Sequence, residues 1–118
     1  MKTILIVDDE SDIRKLERVI LEKEGFKVIE AENGSIALDL VKDMIPDLII
    51  SDVMMENVNG FMLYEILRDD KKTEKIPMIL VTGAAQTAGA WDSDPSVEYL
   101  QKPVSAKVLI AAVRKKGL

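Results

Sequence analysis

Five short apolar runs rich in branched side chains alternate with longer segments whose apolar residues recur every three or four positions. That alternation predicts β-strands joined by α-helices, wound as βα units on a parallel sheet. The first run, Thr3 to Val7, is uninterrupted. After Asp8 and Asp9, Ser11 is expected to cap a helix that turns Ile13, Leu16 and Ile20 to one face and stops at Gly25. A strand follows over Phe26 to Ile29. Asn33 and Gly34 open a second helix with Ala37, Leu40, Val41 and Met44 inward, and Pro46 marks its end. The third strand runs from Leu48 to Ser51. Gly60 precedes a helix bearing Leu63, Ile66 and Leu67, and Pro77 leads into a strand over Met78 to Val81. From Thr82 to Ser96, "TGAAQTAGAWDSDPS" begins with helix formers but soon meets Gly89, an Asp/Ser cluster and Pro95, which predicts a short or frayed helix. Val97 to Gln101 reads as a fifth strand. Val104 to Lys116 reads as a last helix with Val108, Leu109, Ala112 and Val113 on its apolar side.

Right-handed crossovers place such helices on both faces of the sheet, giving an α/β three-layer sandwich of (βα)5 type. Five strands in a chain of this length suit the flavodoxin-like parallel order 2-1-3-4-5. Strands 1 and 3 are then neighbours where the winding reverses, and ligands bind just beyond their carboxyl ends. The 118 residues suit a single domain spanning 1–118, with no room for an effector domain.

Composition narrows the chemistry. There is no cysteine and no histidine, so disulfides, thiolate or imidazole metal sites and histidine general bases are excluded. Carboxylates, hydroxyls and lysines remain. A net charge of −5 argues against direct nucleic-acid binding, which wants a basic patch. The basic run Arg114 to Lys116 ends a helix, where it complements the macrodipole. No apolar run approaches the roughly 20 residues of a membrane span, and "MKTILIVDDE" lacks the features of a secretory signal, so a cytoplasmic location is expected.

Asp8 and Asp9 end the first strand and Asp52 the third, so three carboxylates are expected to meet at the edge where the sheet keeps its crevice. Two like charges about 5 Å apart repel by roughly 3 kcal/mol at an effective dielectric near 20, a cost that folding does not require. Such a cluster reads as a cation site, and oxygen-only ligands point to Mg²⁺. Thr82 and Lys102 end the fourth and fifth strands on the same edge. Mg²⁺, a hydroxyl and an ammonium could hold three phosphoryl oxygens and leave Asp52 as the in-line nucleophile, with an aspartyl phosphate as product.

"ILIVDDE", "DLIISDVMM" with "NG", "ILVTG" and "YLQKP" occur in order over nearly the whole chain, and together they resemble the response-regulator receiver domain of two-component signalling. The resemblance implies that Asp52 accepts a phosphoryl group from a phosphohistidine on a sensor histidine kinase or a histidine phosphotransfer protein. It implies Mg²⁺ on Asp9 and Asp52 directly, on Asp8 largely through water, and on the backbone carbonyl of Met54. Thr82 would be the switch hydroxyl, Lys102 the partner of the phosphoryl group, Tyr99 an aromatic that changes rotamer with Thr82, and Pro103 a cis proline that orients Lys102. The domain would act as a self-phosphorylating and self-dephosphorylating signalling module with no external product. A downstream target or fused effector, and a phosphorylation-dependent dimer, would read its state.

The chain departs from the family pattern at Glu56, where a proline is usual, and in a short Thr82 to Lys102 segment with "DPSVE" leading into strand 5. Glu56 is expected to turn outward. Met54 and Ala84, two residues beyond Asp52 and Thr82, cannot orient an attacking water, so a comparatively long-lived phosphoryl group is expected. The competing reading is a non-phosphorylated pseudo-receiver that serves as an interaction module. An aspartyl phosphohydrolase would want an acid where Met54 stands, and flavin binding would want a phosphate-cradling loop after strand 1.

Overall fold

The computed structural model describes residues 1–55, 58–83, 97–102 and 104–118. In these, five strands and four helices follow in the order β1 (Thr3–Val7), α1 (Ser11–Lys23), β2 (Lys27–Ala31), α2 (Gly34–Asp43), β3 (Leu48–Asp52), α3 (Gly60–Arg68), β4 (Met78–Thr82), β5 (Val97–Gln101) and α4 (Ala106–Lys115). All strand pairs are parallel, and the sheet order is β2-β1-β3-β4-β5, as the sequence predicts. The expected helix between Thr82 and Ser96 falls on 84–96 and lies outside the described residues, as do Glu56 and Pro103.

Period-two alternation along the buried strands divides the core in two. Leu5, Val7, Ile49, Met78 and Leu80 face Ala37, Val41, Leu63, Tyr64 and Leu67 of α2 and α3. Ile4, Ile6, Leu48, Ile50, Ile79 and Val81 face Leu21 of α1 and Leu109, Ala112 and Val113 of α4. Helices therefore cover both faces, which is why β1, β3 and β4 read as unbroken apolar runs.

Local chemistry sets the helix ends. Asn33 and Asn59 cap α2 and α3, their side chains accepting from the N–H groups of Ile36 at 2.8 Å and Met62 at 2.9 Å. Ser105 caps α4 by accepting from Val108 N–H at 3.2 Å. Gly25, at φ 91°, supplies the left-handed turn that ends α1.

Several assignments change: β2 runs over Lys27–Ala31 instead of Phe26 to Ile29, and α4 over Ala106–Lys115 instead of Val104 to Lys116. Ser11 is the first residue of α1, and the cap position belongs to Glu10, whose side chain makes no cap bond. Asp8 Oδ1 accepts from Glu10 N–H at 2.9 Å and turns the chain one residue earlier than a serine cap would. Leu16 is half exposed, and Glu17, one turn before the fully buried Leu21, takes the inward place. Ile66 and Val108 also lie outward, with Tyr64 buried on α3. Apolar residues spaced by three or four fit two adjacent arcs of a helix, and packing on the sheet chooses between them.

Candidate functional site

The parallel register brings the carboxyl ends of β1, β3, β4 and β5 to one edge. Val7 pairs with Ser51, Asp52 with Val81, and Thr82 with Gln101, so Asp8, Asp52, Thr82 and Lys102 stand at the ends of four adjacent strands. Asp8, Asp52 and Thr82 are all buried, which is unusual for two acids. Lys102 explains how both are tolerated. Its Nζ lies 3.2 Å from Asp8 Oδ2 and 3.2 Å from Asp52 Oδ2, with Glu10 Oε1 at 4.0 Å. Its own N–H donates to the Thr82 carbonyl at 2.9 Å, which fixes the lysine's backbone to β4.

The electrostatics follow from that triangle. Burial alone would lower the Lys102 ammonium, but the Asp52 and Asp8 carboxylates outweigh it and hold it above the usual lysine range. Asp52 is pushed up, first by burial and then by the charge of Asp8, against the opposing pull of Lys102 and the Met54 N–H. That N–H donates to Asp52 Oδ1 at 3.3 Å. The Asp52 carbonyl accepts from the Ser51 hydroxyl at 2.9 Å.

Asp9 is exposed, outside the lysine-bridged pair. It joins Asp8 and Glu10 instead, each of the three offering one carboxylate oxygen within 4.8 Å of the others. The donor set is therefore hard oxygen, with the buried Asp8 shared between the exposed acids and Asp52, and this fits an oxygen-loving divalent cation such as Mg²⁺. Met54 has its side chain largely in solvent beside the crevice. Tyr99 pairs in register with Leu80 and packs partly buried against the α2/α3 core. Alternation places Thr82, two residues beyond Leu80, on that same sheet face. Pro103 and Ala84 lie outside the described residues.

Three residues escaped the sequence reading. Glu10 adjoins the acid pair and could have been included on adjacency alone. Arg14 carries no motif signal. Glu17 sits on a spacing that competes with Leu16, and hydrophobicity favours the leucine. Its carboxyl is nevertheless buried beneath the site and pushed up to about 7, first by burial and then by Asp8, with Lys102 opposing and Asp52 adding.

The response regulator receiver domain family matches residues 4–114. The chain belongs to this family. The receiver domain is 37% identical to PilH of Pseudomonas aeruginosa, a match covering 96% of this chain and 95% of PilH. It is also 37% identical to the phosphate regulon transcriptional regulatory protein PhoB of the same organism, covering 96% of this chain and 50% of PhoB. Among solved structures it resembles the response regulator TrrA of Thermotoga maritima in complex with Mg²⁺-BeF, at a TM-score of 0.84 and 33% identity over 98% of this chain and 99% of that one. The receiver domain spans about half the length of most of the curated transcriptional regulators it matches. Among the described residues, no helix is long and apolar enough to cross a membrane.

Proposed function

We propose that this receiver domain is a phosphorylation-controlled switch in which Asp52 takes a phosphoryl group from a phosphohistidine of a sensor histidine kinase or histidine phosphotransfer protein. The observation that carries the proposal is the single ammonium of Lys102 held 3.2 Å from both Asp8 and Asp52 at the β1/β3 crevice. Two buried carboxylates sharing one cation are costly for folding and useful for transfer.

An Asp52 carboxylate oxygen attacks phosphorus in line with the imidazole. The O–P bond forms as the N–P bond breaks, and the electron pair of the broken bond returns to the imidazole nitrogen. Lys102, already charged and fastened through its backbone to Thr82, pairs with a phosphoryl oxygen and leaves its bridging position between the acids. The Thr82 hydroxyl donates to another. Asp8, Asp9, Asp52 and the Met54 carbonyl would hold Mg²⁺, which when bound neutralises charge on the phosphoryl oxygens. Thr82 and Tyr99 share a sheet face, so drawing the hydroxyl toward the phosphoryl group opens space that the Tyr99 ring can fill, and partners read the resulting population. The module has no external product, and its output passes to a downstream target or effector.

Incubation with acetyl phosphate and Mg²⁺ tests this. A mass increase of one phosphoryl group that disappears in Asp52→Asn is expected. No increase in the unsubstituted protein would leave an interaction module that does not use its acids.

A further inference from the structure

Asp8 uses every polar group it has. Its N–H donates to the Ala31 carbonyl at 3.1 Å, Oδ1 accepts from Glu10 N–H at 2.9 Å, and Oδ2 faces Lys102. Its carbonyl accepts from Arg14 Nη1 at 2.6 Å. That last bond reaches back from the first turn of α1, and Arg14 is itself held from the other side. Arg14 Nε donates to Glu30 Oε1 at 3.1 Å, Glu30 Oε2 accepts from Arg18 Nη1 at 2.8 Å, and Arg18 Nε reaches Glu22 Oε2 at 3.2 Å. Glu30 precedes Ala31 on β2, so the residue that anchors Arg14 adjoins the one that receives the Asp8 N–H.

The turn from Asp8 to Glu10 carries three acids in succession, and α1 has no side-chain cap bond to hold its first residues. Splaying would relieve their mutual repulsion. A guanidinium on the backbone carbonyl prevents splaying by fixing the peptide plane, and it does so without itself occupying a carboxylate oxygen. We infer that Arg14, anchored on Glu30, is a positioning residue that holds the Asp8–Asp9–Glu10 turn in the shape that takes a divalent cation. This rests on the cation reading of the site given above.

Two effects of losing Arg14 oppose each other, which makes the sign of the change informative. Deleting a positive charge near the acids would tighten Mg²⁺ binding by Coulomb attraction alone, whereas loosening the turn would weaken it. Glu30 is held below the usual carboxylate range, first by its hydrogen bond from Arg18, and so stays ionised. The full loss of the Arg14 charge therefore favours Mg²⁺ in the variant, so weaker binding can come only from the loosened turn.

Calorimetric titration of Mg²⁺ into the whole chain, well below each variant's melting temperature, tests the inference. Arg14→Met is expected to raise the Mg²⁺ Kd about tenfold, the usual order for losing a group that orients metal ligands. Arg14→Lys, with one nitrogen for two acceptors, should recover part of the loss, and Glu30→Gln should weaken binding by at least about threefold. Unchanged or tighter binding by Arg14→Met, with the unsubstituted protein saturating normally, overturns the positioning role and leaves the phosphoacceptor reading intact. Should Arg14→Met fail to fold, wild-type Kd values in both Arg14→Lys and Glu30→Gln overturn it equally. An unsubstituted protein that binds no Mg²⁺ overturns both readings together.

Discussion

A Cβ built on Gly60 would stand 2.6 Å from the carbonyl oxygen of Asp52 and 2.9 Å from the Val53 Cα. The first turn of α3 thus rests directly on the backbone of the residue proposed as phosphoacceptor, tied there by the Gly60 N–H bond to the Val53 carbonyl at 3.1 Å. Gly34 makes the same kind of contact with the Val58 carbonyl, also at 2.6 Å. In both Asn-Gly pairs the asparagine caps the helix and the glycine lets it approach.

Backbone cannot yield as a side-chain end can, so Gly60→Ala should push α3 away from β3. The expected cost is about 1–3 kcal/mol in urea unfolding, with weakened phosphorylation because Asp52 shifts with its carbonyl. Stability equal to that of the unsubstituted protein would show that the contact is relieved without consequence.

Glu17 predicts a pH dependence. Its folded pKa of about 7 lies above the ordinary glutamate value of about 4.5, so the folded protein binds the extra proton between those limits. The stability Glu17 contributes is fully present below about pH 4.5 and is lost as pH rises through about 7. The shift corresponds to about 3 kcal/mol. Urea unfolding across this window should show a decline that Glu17→Gln flattens, and Glu17→Leu should exceed the unsubstituted protein at pH 8. Parallel curves for all three would contradict the assignment.

In the proposed site, Mg²⁺ takes the same two acids that Lys102 bridges, so the two would compete. Lys102→Ala should lower stability without Mg²⁺ by about 3 kcal/mol, since it leaves Asp8 and Asp52 facing each other unpaired. The same variant should bind Mg²⁺ more tightly, because no ammonium need be displaced. Calorimetry showing weaker binding in Lys102→Ala would mean that the lysine assists the cation.

The strand order and the edge on which Asp8, Asp52, Thr82 and Lys102 meet were legible because both depend on period and topology, which apolar runs encode directly. β1 and β5 have the predicted limits, and β3 and β4 extend one residue further, onto Asp52 and Thr82 themselves. The inward arc of α1 was not legible, because Leu16 and Glu17 compete for one place and hydropathy cannot see that Leu21 sets the phase. Nor was the bridge from Lys102 to two acids, since side-chain reach across three strands leaves no trace in spacing. The Arg14 clamp was hidden for a similar reason: its acceptor is a backbone carbonyl, which every residue has.

Thermal melting of the unsubstituted protein and Asp52→Asn, each with and without Mg²⁺, tests the central claim most directly. Asp52 has its folded pKa raised, chiefly by burial, so its ionised form at neutral pH is a cost that the amide removes. Asp52→Asn should therefore melt higher than the unsubstituted protein in the absence of Mg²⁺, and Mg²⁺ should raise the melting temperature of the unsubstituted protein by more than that of the variant. Equal melting temperatures without Mg²⁺, together with no response of the unsubstituted protein to Mg²⁺, would contradict the account.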